Sequence, residues 1–165
     1  MNLCPKLEQN FCFMKKITRT IALFAFLCTL GLQAWSQTEA EMQKIYMSYL
    51  KKQGYKPEVD DDGDVTFESD DRSYFIGVDE DDPEFFRLVL PNIWPIESEL
   101  ERLQVYEAVD QVNQSVKVAK IHTVGDNVWI SVEAFQSDIE DFDAFFERYL
   151  NLIELCIEEF QEAME

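Results

Sequence analysis

Apolar residues recur along this chain with two different periods, and each change of period marks a new element. Met42, Ile45, Tyr46, Tyr49 and Leu50 follow the i, i+3, i+4, i+7, i+8 spacing of one helix face. Thr38 and Glu41 precede them at the spacing of a capping box. Lys51 and Lys52 suit the negative end of the helix dipole, and Gly54 marks the stop. Alternating patterns then predict four strands over residues 55–59, 65–68, 73–78 and 85–90, separated by acid-rich turns at 60–64, 70–71 and 79–83. The stretch Pro91-Asn92-Ile93-Trp94-Pro95 reads as a break that hands the chain to a second helix. That helix takes Leu100, Leu103, Val109, Val112 and Val116 as its core stripe, with Tyr106 nearby, and ends near residues 113–115. Residues 117–124 and 127–135 form a hairpin about Gly125-Asp126. Ser137 and Glu140 predict a capping box for a last helix running to the C-terminus, with Phe142, Phe145, Phe146, Tyr149, Ile153, Cys156, Ile157, Phe160 and Met164 along one face.

The predicted fold class is α+β: a single domain in the order α-β-β-β-β-α-β-β-α, with an antiparallel sheet packed by helices. Leu150, Leu152 and Leu155 widen the last stripe beyond what one sheet requires. Two coverings fit that width: the first helix, or a second protomer in a homodimer.

A different pattern precedes the domain. From Met14 the chain reads Met-Lys-Lys-Ile-Thr-Arg-Thr, then an almost unbroken apolar run over residues 21–32, then Gln33-Ala34-Trp35-Ser36. A basic start, a short apolar core and small residues at alternate positions form an export signal. The run falls short of the roughly 20 residues that span a bilayer. Residues 1–36 are therefore read as a signal peptide, with Met14 as the simpler start, and residues 37–165 as the exported domain, periplasmic or secreted. Cys28 sits inside the apolar run and reads as filler, not as a lipid-bearing cysteine.

Charge narrows the partners. Without the leader, 10 basic residues stand against 32 acidic ones, a formal charge of −22. Phosphate-mediated nucleic-acid binding and attachment to anionic membrane surfaces are excluded by repulsion. The acidity serves solubility, or attracts cationic partners or divalent ions. Cys156 is the only cysteine after the leader, so the domain forms no internal disulfide, and its place on an apolar stripe marks it as a buried small side chain.

The same residues offer no reaction. One histidine, His122, lies in a predicted strand with no nucleophile pattern near it, the isolated glycines form no phosphate loop, and zinc would require more His and Cys ligands than the domain has. No catalytic, cofactor-binding or metal-binding residue is assigned. Asp60, Asp62, Gly63 and Asp64 share part of the spacing of a calcium loop, but the twelfth position is Ser69 where a bidentate glutamate is required. These residues, and the second cluster Asp79-Glu80-Asp81-Asp82, read as solvated turns, with a cation-responsive acidic module as the alternative. If helices cover one side of the sheet only, Phe75, Phe85 or Trp129 lies on an open surface. Together with Trp94 between its two prolines, these aromatics are candidates for docking an apolar segment, with an acidic rim that favours basic partners.

Three stretches resemble the YbjN-like domains, whose fold is that of type III secretion chaperones. They are Tyr55-Lys56-Pro57-Glu58-Val59 with Asp64-Val65-Thr66-Phe67; Tyr106 to Ser115, a helix ending in Val112-Asn113 before a lysine-containing strand at residues 117–120; and Val128-Trp129-Ile130-Ser131-Val132-Glu133-Ala134 before a long amphipathic helix. The resemblance covers residues 40–165. It implies a non-enzymatic binding or regulatory domain that engages a protein or peptide partner, in a family whose chaperone relatives are acidic dimers. It carries over no site residue.

Overall fold

The computed structural model describes residues 38–165, so the leader lies outside the described residues. The first helix, α1 (Glu39–Lys52), begins at the expected capping box: the Thr38 hydroxyl accepts from Glu41 N–H, and the Glu41 carboxylate accepts from Thr38 N–H at 3.1 Å. It ends in a Schellman turn. Tyr55 N–H donates to Leu50 O (3.0 Å) and Gly54 N–H to Lys51 O (3.1 Å), with Gly54 at φ +95°.

Six antiparallel strands follow, arranged in the order β1-β2-β3-β4-β6-β5: β1 (Glu58–Val59), β2 (Val65–Ser69), β3 (Arg72–Ile76), β4 (Phe85–Pro95), β5 (Ala119–Val124) and β6 (Asn127–Phe135). Helix α2 (Glu99–Ser115) separates β4 from β5, and a 3-10 turn (Ile139–Ala144) precedes α3 (Phe146–Met164). The α+β class and the element order agree with the pattern of the sequence. One side of the sheet presents Val65, Phe67, Ile76, Leu88, Ile130 and Val132 to the helices, and these merge with Met42, Tyr46 and Leu50 of α1, Val105 and Val112 of α2, and Ile153, Cys156 and Phe160 of α3 into one core. Among the described residues no helix is long and apolar enough to cross a membrane.

Three expectations are corrected. The segment Pro91–Pro95 does not break the sheet. Strand β4 runs through it by a bulge: Leu90 pairs with Ile130 and Trp94 with Val128, so β4 carries more residues than β6 across this interval. Asn92 absorbs the bend at φ +57°, a backbone that asparagine tolerates. Second, the stripe of α2 is phased differently. Val105, Ala108 and Val112 are buried, with Val116 just beyond, whereas Leu100 (71% exposed), Leu103 (60%) and Tyr106 (47%) face solvent. Small Ala108 lies in the stripe where the helix approaches the core. Third, the last helix does not start at Ser137. Asp138 and Asp141 form the capping box of the 3-10 turn, and α3 starts afresh at Phe146.

Sheet edges are guarded. Strand β1 has only two residues. On the other edge, Ile121 turns its backbone groups away from β6, and the Asn113 side chain takes both: Nδ2 donates to Ile121 O (2.8 Å) and Oδ1 accepts from Ile121 N–H (3.0 Å). One side-chain amide thus acts as a missing neighbour strand. The link from α2 to β5 is strained at Val118, a β-branched residue at φ +74° and 56% exposed. Val118→Gly is expected to stabilise the domain by about 1 kcal/mol, read as a higher urea midpoint with an unchanged slope.

Candidate functional site

Since the helices pack on one side of the sheet, the opposite side carries its own set of side chains. By register, Phe75 lies opposite Val89, Val89 opposite Ser131, and Trp129 opposite His122. Phe75 and Trp129 meet edge to face at 6.1 Å, with both rings partly exposed. Val89 and Ser131 between the strands are fully buried although they lie outside the main core. Phe85 and Phe135 extend the apolar strip at 5.5 Å from each other, Phe135 being 79% exposed. Phe75, Phe85 and Trp129 therefore occupy the helix-free side, as the alternation of β3, β4 and β6 requires. Trp94 does not. Its ring packs at 5.8 Å from Phe160 and its Nε1 donates to Glu101 (2.9 Å), which ties the bulge to the first turn of α2.

The rim of this strip is not acidic. Lys120 Nζ donates to Glu133 at 2.7 Å, the Ser131 hydroxyl donates to the same carboxylate at 3.1 Å, and Arg87 stands 3.8 Å from it. Burial works against ionisation of Glu133, but the Lys120 and Ser131 hydrogen bonds and the neighbouring cations outweigh it, and the carboxyl is held below its usual range. His122 is pushed the other way, below the ordinary histidine value, by burial and then by Lys120 and Arg87. A histidine that resists protonation in the folded state stabilises the fold above its ordinary pKa, and that contribution is lost as pH falls through the lowered folded value. Between pH 7 and pH 5 the wild type is therefore expected to lose melting temperature relative to His122→Gln, measured side by side.

The acid-rich turns sit elsewhere, and their carboxylates hold backbone. Asp60 Oδ1 accepts from Asp62 and Asp64 N–H (3.0 and 2.9 Å), and Asp64 accepts from Val78 N–H (2.9 Å). Burial raises the Asp64 pKa, opposed by the Val78 bond. Among the described residues no three His, Cys, Asp or Glu side chains converge as metal ligands. Cys156 is fully buried, and burial lifts its thiol to about 11, as its place on the α3 stripe predicts.

Two clefts open where strands diverge. The first, about 510 Å³, lies where the chain passes from Gly54 and Tyr55 into β1, against Thr66 and Glu68 of β2. The second, about 410 Å³, lies between the start of β3 and the bulge of β4, with Ile157 and Gln161 of α3 as its floor. Arg72 on its wall is ion-paired to Glu154 of α3. The Tyr74 hydroxyl donates to that same carboxylate at 3.2 Å, and burial, with Glu154 adding to it, pushes the phenol up to about 12. Asn92 connects this cleft with the aromatic strip, because its Oδ1 accepts from Trp129 Nε1 at 3.1 Å. No pattern in the sequence announces either cleft. Pro91 is the one signal, read there as an end of the sheet.

Residues 41–141 match the family described as T3SS (YopN, CesT) and YbjN peptide-binding chaperone 1. The chain belongs to this family. The match runs from the first turn of α1 into the 3-10 turn, and so includes the whole sheet and α2. A search of curated proteins returned no match. For a peptide-binding chaperone the arrangement is chemically coherent: apolar area on a sheet face, divergent strands with backbone groups to offer, and no assembled reaction centre among the described residues.

Proposed function

We propose that this chain is an exported, non-enzymatic chaperone domain that holds an unfolded segment of a partner protein against the helix-free side of its sheet. The observation that carries this reading is the strip formed by the Phe75–Trp129 and Phe85–Phe135 ring pairs, a helix-free apolar surface in a member of a peptide-binding family. Aromatic rings with few rotatable bonds supply contact area at low entropic cost. Export is supported by the basic, apolar and small-residue succession from Met14 to Ser36. A homodimer is supported by Leu100 and Leu103, two large apolar side chains that α2 turns to solvent.

The test is a scan of the full chain against an array of short peptides of unbiased composition. Binding to a subset is expected, with Trp129→Ala weakening it about tenfold or more, in line with the loss of an aromatic anchor. If no peptide binds, or if Trp129→Ala and Phe75→Ala together leave every affinity unchanged, the reading is wrong. Fractionation of the host, with the N-terminus of the recovered protein sequenced, checks export; sedimentation of wild type beside Leu103→Glu checks the dimer.

A further inference from the structure

Charged and aromatic side chains follow a fixed order on the helix-free side of the sheet. On β4, Phe85, Arg87 and Val89 share that side by alternation, and Arg87 lies opposite Glu133 of β6. Phe85 meets Phe135 on one side of Arg87. Phe75, opposite Val89, meets Trp129 on the other. Arg87 therefore stands between the two ring pairs, two residues along β4 from the row of each. Four residues of strand separate the Phe85 row from the Val89 row, about 13 Å.

The cation at this centre is not fully met within the domain. Arg87 Nε is buried without an acceptor. The Glu133 carboxylate, 3.8 Å away, is too distant for a hydrogen bond and already accepts from Lys120 and Ser131. Asp64, whose carboxyl also feels Arg87, accepts from Val78 N–H. The Arg87 and Lys120 side chains stay 38% and 49% exposed, and both oppose protonation of His122, which lies opposite Trp129. Glu68 and Glu58, on the same side of the sheet, belong to β2 and β1, two and three strands away from Arg87. A partly exposed guanidinium set between aromatic rings is a natural receptor for a carboxylate, which it can grip through two parallel N–H donors.

We propose that the segment held on this side is acidic at its centre: an extended stretch laid along β4, with apolar side chains at its first and fifth positions on the two ring pairs and an aspartate or glutamate at its third position on Arg87. Odd positions of an extended chain all face the same way, and its first and fifth residues are separated by the same distance as the two rows, so one side of the segment makes all three contacts. Its even positions turn to solvent. The proposal rests on the peptide-binding reading above and adds to it the chemistry of the captured segment, whose charge is opposite to that of the basic partner suggested by composition. Elsewhere the carboxylates of the domain repel such a segment, which confines it to this face.

The probes are capped serine peptides carrying phenylalanine, glutamate and phenylalanine at every second position, with glutamine or lysine replacing the glutamate in two counterparts and the glutamate moved to the adjacent position in a third. Each is titrated into the full chain at low salt. The glutamate peptide is expected to bind several-fold more tightly than the glutamine and displaced-glutamate peptides, and at least tenfold more tightly than the lysine peptide. Arg87→Gln is expected to bring the glutamate peptide down to the affinity of the glutamine peptide. Glu133→Gln keeps an acceptor for Lys120 and Ser131 while removing the competing charge, and is expected to bind the glutamate peptide several-fold more tightly than wild type does. These opposite shifts separate charge recognition from a general loss of structure. Equal affinity for all four peptides, preference for lysine, or a glutamate preference that survives Arg87→Gln overturns the proposal, as does failure of all four to bind while array peptides still bind through Trp129. Absence of binding by every peptide, in the array as well, overturns it together with the reading on which it rests.

Discussion

Phe142→Ala is expected to lower the stability of the domain by about 3–5 kcal/mol. The ring sits 4.8 Å from Tyr49 and 5.0 Å from Tyr46, both edge-on, and stacks at 5.5 Å on Phe86 of β4. It therefore joins α1 to the sheet from a short 3-10 turn, and is 1% exposed. Truncation removes the transfer contribution and leaves a hole bounded by aromatic side chains from three elements, which collapses poorly. Against the roughly 5–15 kcal/mol by which domains are normally stable, such a loss leaves a large unfolded fraction at physiological temperature. Phe135→Ala, a deletion of the same size at a position 79% exposed, is the control and is expected to change stability by no more than about 0.5 kcal/mol. Denaturant melts of the two variants decide it: equal midpoints would show that the Phe142 cluster does not hold α1 on the sheet.

The second large effect is expected at Asn113. Its amide satisfies both outward backbone groups of Ile121, and Asn113→Ala leaves that N–H and C=O without their partner beside α2. Two lost hydrogen bonds at a partly buried site cost about 1–3 kcal/mol. A second consequence does not scale with stability. The centre of β5 becomes a free edge, and Ile121 can pair with another chain. Asn113→Ala is therefore expected to aggregate well below its melting temperature, as seen by light scattering during a thermal ramp. Asn113→Asp separates the two effects. It keeps an acceptor for Ile121 N–H but sets a carboxylate against Ile121 O, so it loses stability while its charge discourages edge pairing. If Asn113→Ala scatters no earlier than wild type, the guarding role fails.

These two residues also show what was legible beforehand. Asn113 stands in one of the stretches that resemble the YbjN-like domains, at the end of α2 before a lysine-containing strand. Its position was visible in the sequence, but its task was not, because a side chain bonded to a strand eight residues later has no periodic signature. Apolar periodicity places Phe142 in the core but joins it to the long last helix, whereas it belongs to the 3-10 turn. Asp138 and Asp141 cap the chain one residue later than Ser137 and Glu140 would, and they cap a 3-10 turn that ends before α3 begins. Local signals with a single physical cause were transparent: the Thr38–Glu41 box, the Gly54 stop, and the Asp70-Asp71 and Gly125-Asp126 turns. Phase was harder. Leu100 and Leu103 outweigh Ala108 in any hydrophobicity count, although the packed helix favours the small residue at its contact. The prolines at 91 and 95 misled for a related reason. Each lacks a donor, but a bulge with left-handed Asn92 lets β4 carry both, and the divergent strands this produces form the cleft. The aromatic side of the sheet followed directly from alternation, whereas its basic surroundings required knowledge of which strands are neighbours.

Cys156 lies at the centre of the α3 stripe, fully buried, its thiol lifted to about 11. A thiolate-seeking reagent reaches that sulfur only when α3 swings away from the sheet. The rate at which the peptide containing Cys156 acquires a maleimide mass tag is therefore a built-in clock for that opening, legible in whole cells without any engineered label.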